Sequence, residues 1–386
     1  MDYGLSSDIE ALRDRAEAIV ADVVLPQADA VDREARWPRQ ALRALADAGL
    51  TGLHVPTRLG GRGQGLLGLA ALTETIGQAC ASTAMCFGMH CVASAVIAAK
   101  ATKHQEERYL VPIAEGRHLT TLALSETGTG STFFLPETRL QRAGDAFRVD
   151  GTKQFVTNGG QVDSYVISTV ASEPSETGEF SCLVVDHDQA GIEWEQPWQG
   201  FGMRGNSSRG MRLRSVQAPA GNLLGEQGEQ VWYVFEVVAP YFLVAMAGTY
   251  LGVAQAALAA TLQHLKARRH THSAQTLAQL PTTQQHVADM WTAVQKSRLL
   301  LHHAARLGDL GSADALPAIL ACKADAADTA VAVTNEAMTR CGGIAYRDNG
   351  LFTRLLRDAR AGHVMSPTTD MLKLWTGRAA LGLPLL

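Results

Sequence analysis

The segment 124–166 most constrains what this chain folds into, because it interrupts a sequence that otherwise repeats apolar residues at helical spacing. It contains paired glycines and many threonine, valine and phenylalanine residues. Gly144-Asp145 is a hairpin-turn signal, and the sequence after it alternates apolar and polar residues at strand period. The glycine-rich loop SETGTGS (125–131) precedes this hairpin and lets a ligand approach the backbone closely. The same residues are also typical of an ordinary β-hairpin region with a glycine turn, so a binding role is a hypothesis.

The periodicity predicts three domains within the 386 residues. We expect an N-terminal helical domain at 1–120, a middle β domain carrying the glycine loop at 121–228, and a C-terminal block of helices at 229–386. Helical pattern is expected across 73–84 and 92–99 in the first domain. No internal repeat or proline-rich linker is seen.

Composition excludes several functional classes. Apolar residues make up 46% and charged residues 19%, which is typical of a globular protein, and a net charge of −4 offers no basic field for nucleic acid. The six cysteines form no CxxC pair, so we expect buried thiols, a reducing compartment and a cytoplasmic location. The acidic amphipathic N-terminus does not have the pattern of a signal peptide.

Two short histidine patterns are weak metal signals. Asp186-His187-Asp188 places three adjacent residues at a strand end, where they cannot all point at one ion, and a solvated turn is the better interpretation. His270-Thr271-His272 supplies only two ligands on an expected loop. We therefore predict that the protein has no metal site.

The segment 237–262 contains 26 residues without a charge, which is long enough to span a membrane. It also contains Pro240, Gly248, Gly252 and Gln255, and no second segment could partner it in a bilayer. A fully buried helix of a helical bundle is the better prediction.

Ordered motifs along the whole chain resemble those of the acyl-CoA dehydrogenase family of flavoproteins. The correspondence rests on these segments: Ser125-Glu126-Thr127 with Gly130-Ser131, Gly151 to Asn158, Gly202-Met203-Arg204-Gly205 with Ser208, Pro219 with Asn222-Leu223-Leu224-Gly225, Cys341 to Tyr346, Arg357-Asp358-Ala359, and Trp375 to Arg378 with Leu381-Gly382. The resemblance implies an α+β fold with an N-terminal helical domain, a β-barrel-like middle domain and a C-terminal four-helix bundle. It also implies a homotetramer or homodimer that carries FAD.

The resemblance places the FAD against several groups of residues. The flavin loop and strand contribute Leu124, Ser125, Gly130, Ser131, Phe155 and Thr157, and the same subunit adds Thr368 and Asp370. Residues expected in the FAD arm or against a neighbouring subunit's FAD are Arg269, His270, Gln284, Thr339, Gly342 and Gly343. His270 and Thr339 depart from the residue types that are usual there.

The resemblance also implies an acyl thioester of CoA or of an acyl-carrier protein as substrate. Electrons would pass to an electron-transfer flavoprotein or to oxygen. Residues expected near the thioester are Ser131, His90, Phe242, Leu243 and Tyr250. The bulk of the last three favours a short or unusual acyl group.

The chain departs from the family at the catalytic base. The family uses a Glu to remove the α-proton of the thioester, and a positioned base contributes about 10² to 10⁴ in rate. Counting from Arg357 places Ser366 at that position, and the alternative position on the first long C-terminal helix is Phe242. A serine hydroxyl is not basic at neutral pH unless another group activates it.

Three hypotheses follow. The first is an acyl-thioester dehydrogenase with a substitute base, for which His363 is the nearest titratable group, with Glu126 and Asp370 as alternatives. The second is a flavin monooxygenase of the same fold, in which His90 would lie near the flavin. The third is a member that binds flavin or thioester without turnover.

Overall fold

A computed structural model describes residues 4–130, 132–175, 178–228 and 231–385 and confirms the predicted α+β fold. The N-terminal helices are α1 (Ser7–Ile19), α2 (Leu25–Arg33), α3 (Arg39–Asp47), α4 (Leu66–Gly77), α5 (Ala81–Ala99), α6 (Lys103–Gln105) and α7 (Val111–Ala114). The surface helix α3 buries one apolar stripe, whereas α4 is buried on all faces. The pattern predicted as helix across 73–84 is divided, because α4 ends at Gly77 and Cys80 adopts an extended conformation (φ −154°, ψ 109°).

Within the described residues, eight strands form one sheet. They are β1 (Thr120–Ala123), β2 (Arg139–Ala143), β3 (Ala146–Val156), β4 (Ser164–Ser175), β5 (Gly178–Asp186), β6 (Ile192–Trp194), β7 (Arg209–Pro219) and β8 (Leu223–Leu224). Their order is β6-β7-β3-β2-β4-β5-β8, and β1 lies parallel beside β4. The predicted turn is confirmed: Ala143 pairs with Ala146, and Gly144 has a φ of 64°. The hairpin β2–β3 therefore places the far end of β3 beside the glycine loop.

The C-terminal helices are α8 (Val231–Tyr233), α9 (Ala239–Ala267), α10 (Pro281–Asp309), α11 (Ala315–Cys341), α12 (Leu351–Val364) and α13 (Thr369–Ala380). The helices α9, α10, α11 and α12 pack as the expected bundle, and α13 packs on α11. The helix α9 contains most of the uncharged segment, which is thereby confirmed as a buried helix.

Two helical segments are long and apolar enough to cross a membrane, Ala81–Ala99 and Val234–Ala267. The expectation that no second segment could partner 237–262 is therefore wrong by length and composition. In the most apolar windows of the two segments, 94% and 78% of the residues are buried inside the protein. Such burial is what the central helices of a large core show.

Glycines bring α9 against α4 at the centre of this core. A Cβ atom at Gly248 would lie 2.1 Å from Thr73 Oγ1, and one at Gly252 would lie 2.5 Å from the carbonyl oxygen of Glu74. The two backbones therefore pack closely at these positions. This contact joins the N-terminal helices to the C-terminal bundle. Closer to the start of α9, Ala239 and Phe242 line a cavity.

Candidate active site

A cavity of about 400 Å³ lies where the sheet meets α5, α9 and the end of α12. This volume is within the range of small-molecule sites. Its lining is mainly apolar and comes from all three regions of the chain. The structure thus brings together residues that are up to 282 positions apart, from Met85 to Pro367.

The first wall is the end of β3, where an irregularity in the pairing with β7 lies between Lys153 and Val156. Phe155 has a φ of 53°, which is uncommon for a residue with a side chain. Lys153 and Val156 point into the protein, while the Phe155 ring is 62% exposed. It meets Trp198 edge to face, with 5.6 Å between ring centroids. The irregularity thus places Phe155 in the cavity lining while its neighbours Lys153 and Val156 stay buried.

The glycine loop is held against this wall. Ser125 lines the cavity, and its carbonyl oxygen accepts a hydrogen bond of 2.8 Å from the backbone N–H of Gln154. Thr157 also lines the cavity, and its hydroxyl lies 3.4 Å from that of Ser208. The predicted residues Leu124, Ser125, Phe155 and Thr157 are therefore neighbours in space.

A buried ion pair supports the loop from behind. Lys153 Nζ donates to Glu126 Oε1 at 2.5 Å and to the carbonyl oxygen of Ser168 at 2.6 Å. Glu126 also accepts from the hydroxyl of Thr138 at 2.7 Å and from the backbone N–H of Glu137 at 2.6 Å. Burial alone would raise the pKa of Glu126, but Lys153 and these hydrogen bonds hold it below its usual value. Glu126 is therefore engaged in the loop and does not line the cavity.

The loop 198–208 forms an adjoining wall and is attached to α12. The backbone N–H of Met203 donates to Asp358 Oδ1 at 2.7 Å, and burial raises the pKa of Asp358 to about 6. Arg357 Nη1 donates at 2.9 Å both to Asp32 Oδ1 and to the carbonyl oxygen of Phe201. The Arg-Asp-Ala motif therefore joins the wall to both helical regions.

The segment after α12 closes the cavity. Val364, Met365, Ser366 and Pro367 line it, and the Ser366 hydroxyl donates to the carbonyl oxygen of Gly130 at 3.3 Å. Ser366 thus lies beside the glycine loop, at the position expected for the base. Phe242 of α9, the alternative position, also lines the cavity.

No Asp, Glu, His, Lys or Arg side chain of the described residues lines this cavity. His363 is turned away from it: Nε2 lies 3.0 Å from Asp328 Oδ1, and Nδ1 lies 2.8 Å from Arg360 Nη1. The structure therefore does not support His363 as a base that contacts substrate. Asp370 is exposed in the first turn of α13 and is also absent from the lining.

His90 is likewise not in the cavity. It is buried on α5, with Nε2 3.0 Å from the carbonyl oxygen of Thr51 and Nδ1 3.1 Å from the backbone N–H of Thr120. Burial lowers its pKa to about 4. Because both ring nitrogens are engaged by backbone groups, the expectation that His90 would face the flavin or substrate is wrong for this structure.

Two bulky residues expected near the acyl group lie elsewhere. Leu243 lines a separate small apolar cavity of about 30 Å³, and Tyr250 is fully buried with its hydroxyl 3.6 Å from Met365 Sδ. The correction follows from helical geometry, since consecutive residues of α9 point in different directions. Of the three, Phe242 alone is among the described lining residues.

The remaining predicted cofactor residues do not line the cavity, and Ser131 lies outside the described residues. Thr368 caps α13 by accepting from the backbone N–H of Met371. The other positions lie away from the cavity, at the loop after α9, the start of α10, the last turn of α11 and the turn that follows it: Arg269, His270, Gln284, Thr339, Gly342 and Gly343. Cβ atoms added at Gly342 and Gly343 would meet nothing within 4 Å, so this turn is open. A role toward a neighbouring subunit stays a prediction.

Sequence reasoning missed several lining residues. Met85 and Met89 are one helical turn apart on α5, and Met203 lies in the loop 198–208. Gln154 and Asn206 add amide groups to the lining. The spacing of Met85 and Met89 put them on one face of a helix, but nothing local showed what that face meets. Methionine adapts to irregular ligands, so this wall suits an apolar group of unusual shape.

The cavity fits a flat ring with a polar edge. The Phe155 and Trp198 rings supply aromatic surface, and the backbone and hydroxyl groups of Ser125 and Thr157 supply hydrogen-bonding positions at one side. The rest of the lining is mainly apolar.

Comparisons with known proteins agree with this geometry. Residues 6–117 match the sequence model "Acyl-CoA dehydrogenase, N-terminal domain", 121–216 the "middle domain" and 241–381 the "C-terminal domain". Cyclohex-1-ene-1-carbonyl-CoA dehydrogenase of Geobacter metallireducens is 31% identical over 379 residues, covering 98% of this chain and 99% of that protein.

Solved structures share the fold. Butyryl-CoA dehydrogenase from Megasphaera elsdenii superposes with a TM-score of 0.92 at 24% identity, covering 99% of this chain and 100% of that one. A structure described as the FAD complex of PigA superposes with a TM-score of 0.89 at 20% identity, covering the same shares of the two chains.

Proposed function

Because the chain belongs to the acyl-CoA dehydrogenase family, we propose that it desaturates an acyl thioester between Cα and Cβ with a non-standard base or none. The family makes the protein a flavoprotein oxidoreductase that acts on CH–CH donors, with FAD as its cofactor. The observation that carries the proposal is a cavity that suits a flavin ring and an apolar group and has no titratable side chain in its described lining.

The flavin ring would be held by Ser125, Phe155 and Thr157. Their backbone and hydroxyl groups meet its polar edge, and the Glu126–Lys153 ion pair keeps the loop in place. When bound, FAD supplies the hydride acceptor for the oxidation. Arg269, His270, Gln284, Thr339, Gly342 and Gly343 would reach the FAD of a neighbouring subunit in a homotetramer or homodimer.

The acyl group would occupy the apolar part of the cavity. Met85, Met89 and Phe242 line it, and we propose that they select a short or compact acyl group. The absence of a charged side chain from the described lining disfavours an acyl group that ends in a carboxylate, since such a charge would have no partner. The thioester would be carried by CoA or by an acyl-carrier protein, and electrons would leave to an electron-transfer flavoprotein or to oxygen.

The α-proton presents the main chemical question. Counting from Arg357 gives Ser366 the position expected for the family's base. Its hydroxyl donates to Gly130, so it can orient a ligand but cannot accept a proton at neutral pH. We propose that water or a group on the substrate accepts the proton. A substrate with an activated α-carbon, rather than a simple saturated acyl chain, suits such a site.

One observation favours a second function. A cavity without a base would also serve a member that binds flavin and thioester without turnover. A monooxygenase is less well supported, because both ring nitrogens of His90, the histidine considered for it, are engaged by backbone groups outside the cavity.

The test is an anaerobic titration of the purified FAD protein with acyl-CoAs of different chain length, branching and ring content. Free CoA is the matched control, because it has the same nucleotide and arm but no acyl group. Loss of the oxidised flavin absorbance with one acyl-CoA and not with CoA would support desaturation.

Other results would contradict the proposal. If no thioester of CoA or of a carrier protein reduces the flavin, desaturation is wrong. Thioester binding without reduction would then support the non-catalytic function. Oxygen consumption only after the flavin is reduced by an added donor, with an oxygenated product, would identify a monooxygenase.

A further inference from the structure

A buried lysine lies behind the segment that closes the cavity. Lys323, on α11, has no exposed surface, and no acidic side chain pairs with it among the described residues. Its Nζ donates to three backbone carbonyl oxygens: that of Gly362 at 2.8 Å, that of Pro367 at 2.9 Å and that of Met365 at 3.2 Å. All three donor positions of an ammonium group are therefore used on one short stretch of backbone.

These carbonyls belong to the end of α12 and the turn that follows it. The last carbonyl groups of a helix have no partner within the helix, and the helix dipole makes this end negative. The ammonium group of Lys323 supplies the hydrogen bonds that water would otherwise give these carbonyl oxygens at an exposed helix end. Burial lowers the pKa of Lys323 to about 8, so holding the charge here has a cost in free energy.

The three carbonyls lie on both sides of Ser366. Residues Val364 to Pro367 form a cavity wall. The backbone N–H of Met365 donates to the carbonyl oxygen of Ala361 at 2.9 Å, the Ser366 hydroxyl bonds to Gly130 at 3.3 Å, and Met365 Sδ lies 3.6 Å from the Tyr250 hydroxyl. Lys323 itself does not line the cavity. It can affect a ligand only through the backbone that it holds.

We propose that Lys323 is a positioning residue, whose ammonium group fixes the 362–367 segment and thereby sets where Ser366 and its neighbours meet the ligand. This inference rests on the proposed function only for the identity of that ligand. The fixing of the segment itself depends on three hydrogen bonds from one side chain.

Amide hydrogen exchange of the FAD protein tests the proposal. In Lys323→Met, which keeps the length of the side chain and removes its donors, exchange in residues 362–368 should become about ten- to hundredfold faster, the ratio expected for lost hydrogen bonds to a charged group. Thr334→Val is the matched control: Thr334 is also buried on α11, but its hydroxyl bonds only to its own helix. It should leave exchange in 362–368 unchanged.

A second measurement connects the segment to the cavity. The visible absorption spectrum of the bound flavin should shift in Lys323→Met and not in Thr334→Val. Unchanged exchange in 362–368, or acceleration that is equal in 362–368 and in α9, would overturn the proposal. If Lys323→Met does not fold, Lys323→Leu, which also removes every donor, takes its place with the same two criteria. Neither criterion requires turnover, so failure of the desaturation proposal would be seen separately.

Discussion

Lys153 and Glu126 form an ion pair in which neither side chain is more than 3% exposed, and the pair joins the glycine loop to the strand that carries Phe155. Burial lowers the pKa of Lys153, while the carboxylate of Glu126 opposes that shift. The pair is thus a structural support of the proposed flavin site and does not line the cavity. Its energetic role can be measured.

We expect Lys153→Met to lower the free energy of unfolding by about 3–5 kcal/mol, because it leaves Glu126 buried without its cation. The purified variant should also retain less FAD. Urea unfolding and the flavin-to-protein absorbance ratio measure the two effects. The control is Arg43→Met, which removes an exposed pair with Asp47 and should cost less than about 1 kcal/mol. Equal losses in both variants would contradict the assignment.

Introducing a carboxylate at Ser366 should restore the missing base. We expect Ser366→Glu to raise the rate of acyl-CoA dehydrogenation about 10²- to 10⁴-fold, the usual contribution of a positioned base. Ser366→Gln has the same shape without basicity and should give no gain. Stopped-flow measurement of flavin reduction compares the three proteins. A gain in neither variant would mean that the cavity is not arranged for removal of an α-proton.

His363→Ala should leave flavin reduction by the active thioester within about a factor of ten of the parent protein, far from the loss expected for a base. The reason is that the ring faces Asp328 and Arg360 outside the cavity. The partner variant Asp328→Asn provides the control, because it perturbs the same surface cluster without removing the ring. A loss of several hundredfold in His363→Ala alone would return the histidine to the catalytic site.

A methyl group at Gly202 should disrupt the cavity wall formed by the loop 198–208. A Cβ atom there would lie 2.3 Å from the carbonyl oxygen of Arg357, so we expect Gly202→Ala to cost about 1–3 kcal/mol as an overpacked site. Gly377 lies in α13 with nothing within 4 Å of its Cβ position, so Gly377→Ala should stabilise by about 0.5–1 kcal/mol. A lower urea midpoint for Gly202→Ala and a higher one for Gly377→Ala would confirm both predictions. Midpoints that shift in the same direction would contradict them.

Two buried histidines should make the protein sensitive to acid. Burial lowers the pKa of His54 and of His90 to about 4 each, against 6.5 for the unfolded chain. Below pH 6.5 the unfolded chain therefore binds protons that the folded protein does not, and stability falls as the pH falls toward 4. At pH 5, each histidine should lower the free energy of unfolding by about 2 kcal/mol relative to neutral pH.

The contribution of one histidine is obtained by difference. His90→Gln should be less stable at pH 7.5, because the backbone partners at Thr51 and Thr120 are held less well. Between pH 7.5 and pH 5, the free energy of unfolding of His90→Gln should nevertheless fall by about 2 kcal/mol less than that of the parent protein. Asp358 has the opposite effect, because its raised pKa of about 6 favours folding as the pH falls. Asp358 is present in both proteins, so subtracting one pH profile of unfolding free energy from the other removes its contribution. Parallel pH profiles would show that His90 does not titrate in this range.

The sequence alone determined the order of helices and strands, the Gly144-Asp145 turn, the buried α9 and the family motifs. Each of these depends on residues that are near one another in the chain, through hydrogen-bonding period, turn geometry or local spacing. Counting residues from Arg357 also predicted that Ser366 would lie near the ligand, and Ser366 lines the cavity. The count works because both residues belong to one continuous segment, α12 and the turn that follows it.

Only the tertiary structure decided which side chains meet the ligand. His90, Leu243, Tyr250 and His363 were expected near the flavin or acyl group, but their directions depend on the rotation of α5, α9 and α12 within the core. The three carbonyl groups bound by Lys323 could not be predicted either, because backbone acceptors carry no signature in the sequence. Burial and orientation arise from packing between distant segments, and that packing is what leaves this cavity without a base in its described lining.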